Sequence, residues 1–162
     1  MADQQLSADD VRQLYDRHGP ALVLYACSFV ADRGSAEDVV HGVFLKLLRG
    51  RQIMSEAPAA YLYRAVRNAA LNMRRDRSRD AALPDQDIWF THREHDREAA
   101  FALQQAMREL PDDQREVVVM RIWSGMTLDE VAEATGVPLN TAASRYRYAL
   151  GKLREMLKPY EK

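Results

Sequence analysis

Apolar residues recur every three or four positions along nearly the whole chain, which predicts helices and almost no strand. Ser7 followed by Asp10 has the form of a capping box. It starts a helix with Val11, Leu14, Tyr15, Leu22, Tyr25 and Phe29 on its apolar side. Gly19-Pro20 is expected to kink or interrupt that helix, because proline removes a backbone donor and crowds the preceding turn. The stretch "GSAEDVVHGVFLKLLRG" repeats the start signal, with Ser35 as cap and Asp38 at the third helical position. Val39, Val40, Val43, Phe44, Leu47 and Leu48 make its broad stripe, and Gly50 closes it. A third helix begins near Pro58, a residue favoured in a first helical turn. Leu62, Ala65, Val66, Ala69 and Met73 are expected to face inward, with Arg64, Arg67, Asn68, Asn72 and Arg75 outward.

Periodicity then stops. "DRSRDAALPDQDIWFTHREHD" carries Pro84 amid acids and reads as a linker, with Trp89 and Phe90 as residues able to dock elsewhere. Beyond it, "AAFALQQAMREL" is a short amphipathic helix ending at Pro111, and "PDDQREVVVMRIWSGM" is another, ended by Gly125. Thr127 with Glu130 forms a second capping box, Gly136 ends the helix so begun, and Asn140 is expected to cap the last one. The pattern gives an all-α chain of two small helical domains joined by a flexible linker. They are an N-terminal bundle over residues 1–78, an acidic connector over 79–97 and a C-terminal domain over 98–162.

With Leu128 as the first position, the last two helices take the form of a helix-turn-helix. The small Ala132 falls where two helices cross closely, and Gly136 where the turn requires positive φ. Val131, Val137, Ala142 and Tyr146 fall at its buried positions. Asn140 stands where backbone amides at a helix N-terminus can meet a phosphate. Thr141, Ser144, Arg145 and Tyr148 project from the early turns, which enter a major groove. Arg147, Lys152 and Arg154 are placed for contacts to the phosphate backbone.

Charge supports a polyanionic partner. The net charge of −1 conceals segregation: Tyr61 to Arg79 holds six arginines (64, 67, 74, 75, 77 and 79) against Asp76 alone. Asn140 to Lys158 holds five basic residues against Glu155, whereas Asp80 to Glu98 holds six acids and two arginines. Two basic helices flanking an acidic connector point to two separate contacts with nucleic acid. Other chemistry is not visible. The single cysteine, Cys27, rules out an intramolecular disulfide and a cysteine-rich zinc site, and reads as a buried structural thiol. His92 and His95 in "HREH" lack a third ligand of fixed spacing, so no metal or other cofactor is expected. No apolar run approaches the ~20 residues of a membrane span, and the acidic start "MADQQLSADD" is unlike a signal peptide. A cytoplasmic protein, with no membrane insertion and no small-molecule substrate, is expected.

"SAEDVVHGVFLKLLRG", "AAYLYRAVRNAALNMRRDRSR", an irregular linker and "LPDDQREVVVMRIWSGMTLDEVAEATGVPLNTAASRYRYALGKLRE" follow one another in the order and spacing of a known family. Over roughly residues 8–158 the chain resembles the extracytoplasmic-function sigma factors of bacterial RNA polymerase. The resemblance implies a subunit with no catalytic residues, one that binds core RNA polymerase and directs it to promoter DNA. It assigns docking on the polymerase to Asp38, His41, Phe44, Leu45 and Leu48. Reading and opening of the −10 element falls to Tyr61, Tyr63, Arg64, Arg67, Asn68, Asn72, Arg74 and Arg75, with "RGRQIMSEAP" where a flipped base is captured. The −35 element, as duplex, falls to Asn140, Thr141, Ser144, Arg145, Arg147 and Tyr148, and Arg115 matches a position directed at the phosphate backbone. An anti-sigma factor packing between the domains is a further implied partner.

The chain departs from the family pattern in places. His41-Gly42 stands where Gln-Glu is common, Tyr61 where tryptophan is, Ala142-Ala143 where Val-Lys is, and Tyr146 where leucine is. Two rival readings compete with the sigma factor. A free-standing helix-turn-helix regulator explains the last helix but not the basic, aromatic third one. A decoy that binds only a regulatory protein has no need of Arg64, Arg67, Arg74 and Arg75.

Overall fold

The computed structural model describes residues 6–30, 32–50, 58–77 and 97–160, and every regular element among them is helical. In order these are α1 (Ala8–Ala26), α2 (Arg33–Leu48), α3 (Pro58–Asp76), α4 (Arg97–Glu109), α5 (Asp112–Val118), α6 (Leu128–Thr135) and α7 (Leu139–Leu157). A π-turn, Val119–Trp123, extends α5, and a 3-10 turn, Lys158–Tyr160, ends α7. All of the acidic connector but Arg97, with Trp89, Phe90, His92 and His95, lies outside the described residues, as does the 51–57 part of the loop before α3. No helix among the described residues is long and apolar enough to cross a membrane.

Helix ends are set by local chemistry. At α1 the Ser7 hydroxyl accepts from the Asp10 amide (3.1 Å) while the Asp10 carboxylate accepts from the Ser7 amide (2.9 Å). The Ser7 hydroxyl also donates to that carboxylate at 2.7 Å, and this bond with the one from the Ser7 amide holds the Asp10 carboxyl below its usual range. Thr127 and Glu130 reproduce this capping box at α6. At α2 the cap is Asp32, three residues before the expected Ser35. Its carboxylate accepts from the Ser35 amide (2.7 Å) and hydroxyl (2.8 Å), and Ser35 itself is buried. A carboxylate at this place answers an orphan donor and the positive helix end together, so it outcompetes a serine one turn inside. At α7 the cap is Pro138, whose carbonyl accepts from the Thr141 and Ala142 amides. Asn140 therefore sits in the first turn as an exposed residue and caps nothing.

Pro20 lies inside α1, which runs unbroken past it. Pro20 and Asp16, whose carbonyl loses its donor, are both exposed, so solvent can serve that carbonyl. Val11 before the proline and Leu22, Tyr25 and Ala26 after it are buried on one side, which holds the two halves in register.

α1, α2 and α3 pack as a bundle, α4 to α7 form a second group around α7, and α3 lies against α6. One apolar core runs through both groups, from Val11, Tyr25 and Phe44 to Val118, Val131 and Leu153. Removing a side chain such as Leu22, Leu62 or Val66 from water stabilises the fold by ~1.5–3 kcal/mol, and each of these is completely or almost completely buried. Cys27 is buried in the same core, and burial pushes its thiol up to about 11, as suits a packing residue.

Gly136 has φ +72 and meets open space where a side chain would start, so its only constraint is the left-handed backbone. Gly42 lies within α2 and likewise faces open space. The Gly136→Ala variant should lose about 1–2 kcal/mol of unfolding free energy, and Gly42→Ala should gain about 0.5–1 kcal/mol. Urea unfolding with unchanged slope, and midpoints moving in opposite directions, checks both signs.

Candidate nucleic-acid interface

Three helix faces carry the sequence-predicted site residues. On α2, Asp38, His41, Leu45 and Leu48 are exposed, the two leucines by 50% and 54%. His41, Leu45 and Leu48, with Phe44 and with Val11 and Tyr15 of α1, line an open, largely apolar groove of about 510 Å³; Asp38 lies outside it. The Tyr15 hydroxyl lies 3.1 Å from His41 Nε2, and its ring meets Phe44 edge-on at 5.1 Å. Phe44 itself is buried, so this expected docking residue serves mainly as the floor under Tyr15. It lines the groove together with the two leucines, with 4% of its surface exposed.

On α3, Asn68, Asn72, Arg74 and Arg75 are exposed, and Tyr61 is half-buried. Tyr63 is buried at 1% exposure, where its hydroxyl donates to Ser124 Oγ and burial pushes its phenol up to about 12. In this arrangement its ring cannot stack on a base. It packs instead 5.0 Å from the ring of Tyr25, which in turn meets Phe29 edge-on.

Most of the α3 cations reach across to the second helical group. Arg64 donates to the Glu133 carbonyl at the end of α6. Arg67 Nε donates to Glu116 Oε2 at 2.7 Å, and the Tyr25 hydroxyl donates to the same oxygen at 3.0 Å. Arg74 pairs with Asp112 at 2.7 Å while stacking over Phe29. The Arg74–Asp112 pair is nearly half exposed and contributes little, about 0–1 kcal/mol. Glu116 is different, because its carboxylate has no exposure at all. Burial pushes its carboxyl up, offset in part by Arg67, Tyr25 and the more distant Arg145. Its second oxygen, Oε1, has no hydrogen-bond partner among the described residues. A buried carboxylate answered on one oxygen only is held at a cost. Arg67, pulled down by burial, is carried above its ordinary value by the hydrogen bond and charge of Glu116.

On α7, Asn140, Arg147 and Tyr148 are exposed, with the Arg147 guanidinium 5.5 Å from the Tyr148 ring centroid. Thr141 and Ser144 are half-buried, and the Ser144 hydroxyl donates to the Asn140 carbonyl. Arg145 is turned partly inward, 3.4 Å from Asp113. No side chain caps the start of α7, which leaves its first amides directed out of the helix beside Asn140.

Arg115 is not placed to bind a phosphate. Its Nε donates to the Met107 carbonyl (2.7 Å), one terminal nitrogen to Ser28 O and Asp112 Oδ1 (both 3.0 Å), and the other to Arg108 O (2.9 Å) and Leu110 O (2.7 Å). Those bonds occupy every N–H donor a guanidinium has. They close the carbonyl end of α4 and tie it to the end of α1, so Arg115 is a structural clamp.

Glu116, Asp112, Ser124 and Glu133 were not identified as partners of α3 from the sequence. The one signal for Glu116 is a carboxylate set directly before the apolar run "VVVM".

Residues 14–80 match the family described as Sigma-70 region 2, and residues 100–153 match Sigma-70, region 4. The two matched stretches contain all three faces. Among curated proteins, the chain is 24% identical over 153 residues to the RNA polymerase sigma factor SigZ of Bacillus subtilis, covering 91% of this chain and 87% of that one. It is 28% identical over 153 residues to the ECF RNA polymerase sigma factor SigL of Mycobacterium tuberculosis, covering 89% and 86%. The fold is shared with the sigma factor RpoE in its co-crystal structure with the anti-sigma factor NepR from Bartonella quintana. There the TM-score is 0.77 at 24% identity, over 93% of this chain and 98% of that one. It is shared also with CnrH in complex with the cytosolic domain of CnrY, with TM-score 0.70 at 24% identity over 96% and 92%. The chain belongs to the extracytoplasmic-function sigma factors, and its function is that of a sigma factor directing transcription initiation.

Proposed function

We propose that the three faces divide the work of initiation as region 2 and region 4 require. Asp38, His41, Leu45 and Leu48 of α2 dock on core RNA polymerase. Arg64, Arg67, Asn68, Asn72, Arg74 and Arg75 of α3, with Tyr61, hold the opened strand of the −10 element. Asn140, Thr141, Ser144, Arg145, Arg147 and Tyr148 of α7 read the −35 element as duplex. The observation that carries this reading is the segregation of surface chemistry. Exposed leucines border an apolar groove on α2, while cations and amides collect on α3 and α7. An apolar face suits a protein partner, and cationic faces suit a polyanion.

In this reading residues 1–78 and 98–162 are the two functional units, with 79–97 as their tether. The chain acts in the cytoplasm and performs no catalysis itself. One structural relative is a complex with an anti-sigma factor, and a protein inhibitor of this chain is proposed by the same likeness. A free-standing regulator would have no use for the α2 face, and a decoy none for the polar start of α7.

Mixing the purified chain with sigma-free core polymerase should give a complex on gel filtration. Leu45→Glu with Leu48→Glu should weaken it about a hundredfold or more, each leucine forfeiting at least ~1.5 kcal/mol of burial. Arg74→Ala with Arg75→Ala should leave the complex intact. A complex indifferent to the leucine changes overturns the assignment of α2.

Salt dependence separates Arg147 from Arg115. Arg147→Ala should reduce the slope of log affinity for −35 duplex against log salt by about 1. Arg115→Ala should leave that slope unchanged while lowering stability by about 2–4 kcal/mol, since it strips carbonyls of charged donors.

A further inference from the structure

The groove between α1 and α2 is apolar but for what Arg12, Tyr15 and His41 bring to it. Tyr15 is 38% exposed yet closely held. Its ring meets Phe44 edge-on at 5.1 Å, and a Cβ on Gly19 would stand 3.6 Å from it. Its hydroxyl lies 3.1 Å from His41 Nε2. A phenol donates more readily than it accepts, so Nε2 takes the hydrogen bond and the imidazole proton lies on Nδ1. Nδ1 has no partner among the described residues, His41 is exposed, and the neighbouring Gly42 meets open space where a side chain would start. The two helices together thus hold an oriented N–H donor beside the exposed Leu45 and Leu48. Arg12, exposed on α1, is the one permanently charged residue lining the groove among those described.

We propose that α1 is half of the docking surface and sets its selectivity: Tyr15 is a positioning residue that fixes His41 as a donor through Nδ1, and His41 with Arg12 receives a carboxylate carried on an otherwise apolar helix of core RNA polymerase. Charge favours that occupant. The walls are apolar, and the only permanent charge on them is positive, which calls for a negative group on the partner. An amphipathic helix fits an apolar groove with its apolar side chains inward. A carboxylate entering with that helix must find donors or be excluded, and Nδ1 and the Arg12 guanidinium are donors without a described partner. A donor already oriented loses little freedom on binding, whereas an imidazole free to exchange its proton between two nitrogens offers the wrong one part of the time. A helix with a cation at the same place meets Arg12 and is rejected. The proposal rests on the assignment of α2 to polymerase.

The test uses the full chain and two readouts, the imidazole nitrogen resonances of the free protein and its affinity for sigma-free core polymerase. Nitrogen-15 spectra recorded at about pH 8, where an imidazole is neutral, should show His41 as the Nδ1–H tautomer. Its signals are those lost in His41→Gln. Tyr15→Phe keeps the ring and removes only the hydroxyl, and it should move His41 toward the other tautomer. The same change should weaken docking about three- to tenfold, the worth of one oriented hydrogen bond. Glutamine, the residue common at this position in the family, carries a donor that needs no tautomer. In the His41→Gln background Tyr15→Phe should therefore cost less than about twofold, which a purely structural tyrosine would not show. Arg12→Glu should weaken docking about tenfold or more. Arg17→Glu, the same charge change on an exposed residue of α1 outside the groove, should not.

A tautomer unmoved by Tyr15→Phe, an equal cost of that change with histidine and with glutamine at position 41, or an Arg12→Glu that binds as Arg17→Glu does, overturns the proposal. The paired change Leu45→Glu with Leu48→Glu separates the two claims. If it breaks the complex while Tyr15→Phe and Arg12→Glu leave it intact, α2 keeps its assignment and only the role of α1 falls. If the leucine changes also leave the complex intact, the assignment of α2 falls and takes the proposal with it.

Discussion

A carboxylate with no access to water must be met by donors or leave the interior, and in this chain Glu116 is that carboxylate. Its donors are Tyr25, 91 residues away on α1, and Arg67, 49 residues away on α3. One group on α5 therefore fixes how the first three helices sit against the last four. Around it the Tyr25–Phe29–Tyr63 aromatic cluster fills the seam, and Arg115 pins the end of α4 to the Ser28 carbonyl. Removing either donor would strand a buried charge, so the seam is specific as well as apolar.

That specificity decides what remains open. Because Glu116 draws α3 inward, Arg67 becomes part of the interior arrangement, while Arg64 and Arg74 stay exposed and reach Glu133 and Asp112 at the surface. α2 leaves Leu45 and Leu48 exposed beside Tyr15 and Val11, and α7 keeps its uncapped start at the surface.

Much of this was legible in the sequence, and the part that was not shares one physical cause. Capping boxes at Ser7 and Thr127, the positive φ of Gly136 and the start of α3 at Pro58 depend on residues within four positions of one another, and all stand as expected. The caps of α2 and α7 also depend on neighbours, but there two residues compete. Asp32 displaces Ser35, and Pro138 displaces Asn140. Of the kink or interruption expected at Gly19-Pro20, the interruption does not occur, since burial of Leu22 and Tyr25 outweighs one lost backbone bond. Helical periodicity says which side of α3 is polar. It does not say that Tyr63 reaches Ser124, or that Arg67 meets a carboxylate from another domain. Those partners lie 61 and 49 residues away, and no local pattern encodes them.

Arginines 67 and 115 show why such partners matter to function. They are the same residue type, and both lie in stretches matched to sigma factor regions. Arg115 is 13% exposed and gives all five of its donors to backbone carbonyls and Asp112, so a phosphate could be bound only by dismantling the end of α4. Arg67 is 29% exposed and gives one, through Nε, to Glu116. Among the described residues its terminal nitrogens have no acceptor, so the fold leaves their donors uncommitted. The difference between a structural cation and one available to nucleic acid lies in how many of its donors the fold has already committed.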